Sequence, residues 1–199
     1  MPYSREAIKE IKERRRQLIL DQSLYLFALK GYDMTTIDDI AKASSMTHSL
    51  FYHYFRSKEE IFFTLLSEAE KTRPNLNLDD NLSAKMRIKE LINFMRETIL
   101  KKDKSTYYLY LFLNLHFQKT IDFKKIKNGK NIFGLLYDLI VEGQKEGTII
   151  DCDPKELIVC FGSMLGGITY SSITSSHNKC IVPSTNVLVN LFLKKEENR

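Results

Sequence analysis

Apolar residues recur at helical spacing along most of the 199-residue chain, and the gaps between runs mark its segments. Residues 5–30 begin with a charged half. The second half carries Ile19, Ser23, Leu26 and Phe27 three to four residues apart, which predicts one long helix. Gly31 ends it, as a residue able to take positive φ just past a helix. Thr35-Thr36 opens a short helix over Ile37–Ala43. Thr36 is the predicted N-cap, with Asp38 and Asp39 in the first turn, where the helix dipole favours acids. Ser44-Ser45-Met46 is long enough only for a turn. A third short helix is expected over Thr47–Tyr54. Ser57, followed by Glu60, has capping-box spacing and starts a fourth helix that runs to about Lys71.

Thr72–Ser83 is rich in Asn, Asp and Pro and reads as a connection. Beyond it helices are expected at about 84–102, 105–119, 127–145, 154–176 and 184–195. Asp153-Pro154-Lys155-Glu156 is a start signal: an N-cap Asp, Pro at the first helical position and Glu in the first turn. Gly143 and Gly147 are expected to break the preceding helix near its end. The fold class is all-α. Composition agrees, because Gly and Pro total 8 + 4 = 12 residues, about half of what average usage of roughly 7% and 5% gives. So few turn formers exclude a sandwich or barrel.

The chain is 43% hydrophobic and 28% charged, which excludes disorder and suits a soluble globular protein. The formal net charge is 30 − 25 = +5, a weak pointer to nucleic acid until the basic residues are placed. Cys152, Cys160 and Cys180 cannot all pair, and Met1–Arg16 is dense in charge with no apolar signal core. These point to free thiols in a reducing, cytoplasmic compartment. One segment opposes this. Leu157–Asn178 has no charged residue and is long enough to cross a bilayer. It is also rich in Ser, Thr and Gly, so it reads as a buried helix at a protein–protein interface. A membrane-associated helical protein is the alternative.

The short helices carry the functional signal. On a wheel of ~100° per residue, His48, Ser49, Tyr52 and His53 share one arc, and Leu50, Phe51, Tyr54 and Phe55 the opposite one. One face packs inward. The other presents Tyr and His outward, within reach of major-groove base edges and phosphates. Lys58 opens the next helix, where its ammonium and the backbone N–H groups suit a phosphate. An αα-hairpin domain with surface aromatics, binding small molecules but not DNA, has the same pattern.

Gly31-Tyr32, then residues 35–43 (TTIDDIAKA), then residues 50–61 (LFYHYFRSKEEI), resemble the N-terminal signature of the TetR family of transcriptional regulators. The resemblance covers about residues 15–65. Residues 142–147 (EGQKEG) and 151–156 (DCDPKE) resemble the family weakly. It implies an N-terminal helix-turn-helix three-helix domain over 1–56, in which 1–14 extend the first helix. A C-terminal helical effector-binding and dimerisation domain follows over 57–199, with 57–71 as connecting helix. It also implies a homodimeric repressor released from double-stranded DNA by a small-molecule effector. Carried over, Thr36 is a phosphate-contacting cap and Lys58 the phosphate-contacting lysine. Thr47, His48 and Ser49 begin the recognition helix, Tyr52 contacts backbone or a thymine methyl, and His53 is a variable contact. The chain departs from the family at Ser45, where the turn usually carries Gly, and at Ser49-Leu50, where a small pair is usual. Arg14-Arg15-Arg16 are expected either to reach a phosphate or the minor groove, or to pair with Glu6, Glu10 and Glu13 on a solvated face.

In the second domain aromatics dominate. Phe94, Tyr107, Tyr108, Tyr110, Phe112, Phe117, Phe133 and Tyr137 are mainly core. Phe94, Tyr108, Phe112 and Tyr137 are the candidate lining of an effector pocket, with Asn93, Asn114 and His116 as polar handles. Phe161, Gly162, Leu165 and Gly166 are the candidate dimer interface, since small residues let helices approach closely. No phosphate loop, Gly-x-Ser-x-Gly or HExxH motif is present, so no catalytic residue and no cofactor are expected. Cys152, Cys160, His177 and Cys180 lack an anchoring Cys-x-x-Cys pair, so no metal is expected.

Overall fold

The computed structural model describes residues 4–72, 78–115, 132–175 and 180–194. Among these lie α1 (Arg5–Leu29), α2 (Ile37–Ala43), α3 (His48–Phe51), α4 (Lys58–Thr72), α5 (Ala84–Lys101), α6 (Lys104–Leu115), α7 (Ile132–Lys145), α8 (Pro154–Thr174) and α9 (Thr185–Val189). The chain is all-α and forms two compact units, Met1–Arg73 and Pro74–Arg199. The first unit takes in α4, which packs on α1; the sequence expectation attached this helix to the second domain. His116, Phe117, His177 and the expected helical stretches 116–119 and 127–131 lie outside the described residues.

In the first unit α1 buries Ile19, Leu20, Ser23, Leu24, Phe27 and Ala28 on one face. The rings of Phe27, Tyr32 and Phe62 meet with centroids 5.0–6.1 Å apart, joining α1, the following loop and α4. Gly31, at φ +90, turns the chain out of α1. Buried Thr35 donates its hydroxyl to the Gly31 carbonyl at 2.7 Å and fixes the loop.

The second unit is organised around α5, which packs against α6, α7, α8 and α9. Buried Arg87 on α5 pairs with Glu142 on α7 and donates to the Leu82 carbonyl at 3.1 Å. Glu146 accepts the Ala84 N–H at the start of α5. Gln144 donates to the carbonyls of Ile150 and Cys152 at 3.0 and 2.8 Å. Residues 142–147 thus dock three segments of this unit together. Gly147, at φ +71, ends α7. Gly143 does not break the helix as expected: it lies inside α7, where a Cβ would come 2.3 Å from Ile149 Cγ1.

Two further expectations are corrected. The last helix, expected over 184–195, stops at Val189. There Phe192 is fully buried against Phe161, with centroids 4.8 Å apart, and the backbone instead pairs with 148–150. Ile149 and Leu193 form an isolated antiparallel bridge. The second correction concerns the candidate dimer interface. Phe161, Gly162, Leu165 and Gly166 are all buried within the chain. A Cβ on Gly162 would lie 3.3 Å from the Phe133 ring, and one on Gly166 would touch Leu113 and Asn114. The glycines do permit close helix approach, but to α6 and α7 of the same chain. The α8 helix is long and apolar enough to cross a bilayer, yet this side of it is core.

Gly143→Ala is expected to destabilise the chain by about 1–3 kcal/mol through overpacking. Combining it with Ile149→Ala is expected to cost less than the sum of the two changes. Urea denaturation of the four chains checks the coupling; strict additivity would mean that the contact does not limit the packing.

Candidate nucleic-acid interface

An isolated four-residue helix is far below the length that sustains itself in water, so α3 must be held by its surroundings. Its entry turn is a Schellman motif, in which the N–H groups of Met46 and Ser45 donate to the carbonyls of Ala41 and Lys42 at 2.8 and 3.1 Å. Ser45 sits in the left-handed region at φ 53, where a non-Gly residue costs roughly 1–2 kcal/mol. The Thr47 hydroxyl then caps α3, accepting the Leu50 N–H at 3.2 Å. Beyond Phe51 the expected helix tightens into i→i+3 bonds, His53 to Leu50 and Tyr54 to Phe51.

Burial fixes the helix face. Phe51 and Phe55 are 0% and 1% exposed, and Tyr52 is 47% exposed. Thr47, His48, Ser49 and His53 are exposed on the same side as Tyr52. The His48 and Tyr52 rings lie 5.2 Å apart, and His48 Nδ1 pairs with the Asp38 carboxylate across the turn. The sequence pattern missed Asp38, because a partner ten residues away across a turn leaves no periodic trace.

The second helix of the motif is tightly capped. Thr36 Oγ1 accepts the Asp39 N–H, and Asp39 Oδ2 accepts the Thr36 N–H at 2.8 Å. The Lys30 ammonium also bonds Asp39, and with the Thr36 backbone bond it holds that carboxyl well below the usual carboxylate range. The stabilisation this gives is complete above the unfolded carboxylate pKa, about 3.9, and is lost as pH falls through the folded value. At the start of α4 the Ser57 hydroxyl accepts the Glu60 N–H at 3.1 Å, while the Glu60 carboxylate accepts the Arg56 N–H at 2.7 Å.

Lys58 points inward. Its ammonium donates to the carbonyls of Tyr32, Thr35 and Asp33 at 2.6, 2.8 and 3.4 Å and lies 4.3 Å from the Tyr32 ring centroid. Desolvation lowers its pKa. An ammonium has three donors, and three carbonyls occupy them. Lys58 therefore clamps the α1–α2 loop against α4, with its donors turned to the chain's own carbonyls.

Residues 19–65 match the model of the bacterial regulatory proteins of the tetR family. This N-terminal segment is of the TetR family. Over 99 residues, 48% of this chain and 51% of the relative, the chain is 32% identical to IcaR of Staphylococcus epidermidis, a negative transcriptional regulator of a biofilm operon. It spans about half or less of the length of the curated relatives it matches. Among solved structures, HlyIIR, a hemolysin II transcriptional regulator, aligns at TM-score 0.68 with 18% identity, covering 92% of this chain and 99% of that one. AibR, crystallised with isovaleryl coenzyme A and operator DNA, aligns at 0.58 with 18% identity, covering 88% and 94%. Both share the fold.

The candidate residues of the second unit are dispersed by exposure. Tyr108 is buried, Phe94 and Phe112 are half-buried, and Tyr137 is exposed on α7. Asn93 accepts the Thr185 hydroxyl at 2.8 Å, and Asn114 donates to the Tyr110 carbonyl at 2.8 Å, so both amides have intrachain partners. Among the described residues no cluster of three His, Cys, Asp or Glu side chains is placed to hold a metal.

Lys58→Met is expected to lower stability by about 1.5–3 kcal/mol, the range for hydrogen bonds to a charged group. The salt dependence of DNA binding is expected to stay at the wild-type slope. Denaturation and binding titrations over a salt series check both; a slope reduced by about one unit would mean that the ammonium does reach a phosphate.

Proposed function

We propose that the chain is a homodimeric, ligand-responsive transcriptional repressor acting on double-stranded DNA in the cytoplasm. One observation supports it above the others: a short helix, held by two buried phenylalanines, turns Thr47, His48, Ser49, Tyr52 and His53 outward. The helix lies within the segment matched to the tetR family model. In this reading α3 enters the major groove. Thr47, His48 and Ser49 face base edges, Tyr52 contacts backbone or a thymine methyl, and His53 sets a variable contact. Thr36, at the cap of α2, lies against a phosphate. Lys58 acts indirectly, by fixing the loop that carries Thr36. The functional boundary falls at residue 56, with α4 as the connecting helix.

Two such heads on one pseudo-palindrome require a dimer. The outward face of α8 suits it. Val159, Cys160, Ser163, Gly167 and Tyr170 are exposed at helical spacing, carry no charge, and are mostly small. A Cβ on Gly167 would meet nothing within 4 Å in the chain itself. This face replaces the buried Gly162 and Gly166 as the proposed contact. For the effector, a largely apolar small molecule held between the helices of the second unit, beside Phe94, Tyr108, Phe112 or Tyr137, remains the reading. It would favour a dimer whose heads no longer match the half-site spacing, through its differential affinity for two states. AibR was crystallised with both an acyl coenzyme A and operator DNA, which lends this scheme a structural parallel.

Tyr52→Ala is expected to weaken binding to every duplex the wild type selects, leaving helicity and dimerisation unchanged. His48→Ala is expected to relax preference at particular base pairs by about 1–3 kcal/mol. Titrations against selected and single-base-substituted duplexes check this, and an unchanged affinity in both variants would contradict the placement of α3. Gly167→Leu is expected to shift the chain toward monomer in sedimentation at wild-type helicity; an unaltered dimer would move the interface off this face.

A further inference from the structure

The α1 helix continues well beyond the body it packs on. Its first buried residue is Ile19, and residues 4–15 are exposed except for half-buried Ala7. At 100° per residue, Arg5, Lys9, Lys12 and Arg16 fall within an arc of about 60°. That arc continues the line of Ile19, Ser23 and Phe27, the side of α1 turned toward the rest of the unit. The printed order of the sequence hides this stripe. The conspicuous run Arg14-Arg15-Arg16 splays around the helix, and only Arg16 belongs to the stripe.

Arg16 fixes where the stripe begins. Its guanidinium lies over the Phe55 ring, 4.9 Å from the centroid. Phe55 follows the turn that carries Tyr52 and His53, so the stripe starts beside the reading segment and leads away from it. The acids of α1 meet it only at Arg16: the ion pairs are Arg14–Glu10 at 3.9 Å, off the stripe, and Arg16–Glu13 at 4.0 Å, in which Arg16 is half-buried. Arg5, Lys9 and Lys12 have no ion pair among the described residues. From Arg16 to Arg5 the helix rises about 16 Å, which is the length of roughly five base pairs at about 3.4 Å each.

We propose that the basic stripe Arg5–Lys9–Lys12–Arg16 is a second DNA-contacting surface, which binds the phosphates flanking the site read by α3. It rests on the reading of α3 as the recognition element and deepens it: the footprint is longer than the helix-turn-helix alone covers, and the added contacts are independent of base sequence. Phosphates are the partner the geometry favours, because the stripe is continuous with the reading face. Among the described residues the extension exposes only Ile8 and Ile11 as large apolar side chains, a small area for holding a helix on a lipid surface.

The test uses duplexes that the wild-type chain selects from a random pool, made at minimal length and with five further base pairs at each end. The full chain, K9Q/K12Q and R14Q/R15Q are titrated over a salt series. The two variants lose equal charge from different sides of one helix. Wild type is expected to gain affinity from the added flanks. K9Q/K12Q is expected to lose that gain, with a salt slope lower by about two units per bound protomer. R14Q/R15Q is expected to keep the gain. Equal losses in both variants, or no flank effect in the wild type, would overturn the proposal while Tyr52-dependent selection stands. Lys9- and Lys12-dependent capture by phosphatidylserine vesicles without a flank effect would assign the stripe to a membrane surface. Failure of the wild type to select any duplex would instead remove the reading of α3 itself, and this proposal with it.

Discussion

Burial of Phe51 and Phe55 is the constraint on which the reading face depends. Four helical residues cannot order themselves, so the orientation of α3 is set by the two rings that reach the core of the first unit. Everything adjacent serves that docking. The Schellman turn with strained Ser45 aims the chain, the Thr36–Asp39 box fixes α2, and Lys58 clamps the loop between α1 and α2 onto α4. The outward set from Thr47 to His53 follows from which side is buried. The outward face of this unit is therefore a consequence of packing, and substitutions buried beneath it are able to move it.

The second unit shows the same economy. Residues 142–147 supply an arginine partner for α5, a cap for its first N–H, a close approach to Ile149 and a left-handed helix end within six positions. The glycine-bearing side of α8 belongs to this internal packing. That leaves its opposite side, uncharged from Val159 to Tyr170, as the contact proposed for a second copy.

Local signals were legible in the sequence. The Thr36 and Asp153 caps, the left-handed Gly31, and the division of residues 48–55 into inner and outer faces follow from side-chain chemistry within four residues, whereas the left-handed Ser45 was legible only through the family resemblance. Partnerships across turns and between helices were not legible. Asp38 beside His48, the inward turn of Lys58 and the intrachain role of Gly162 and Gly166 depend on where distant elements meet. A period-3.6 pattern shows that α8 has a buried side. It does not show whether that side meets its own chain or another copy. The basic stripe on α1 lay between these cases, present in the spacing yet obscured by the run of three arginines.

The central claim is that α3 reads DNA as one of a symmetric pair. Selection of bound duplexes from a random pool by the wild-type chain tests it most directly. The account predicts enrichment of a pseudo-palindrome whose half-site centres lie about 10–10.5 base pairs, or a multiple, apart. Recovery of duplexes with no shared sequence, at an affinity that vanishes uniformly with salt, would contradict it.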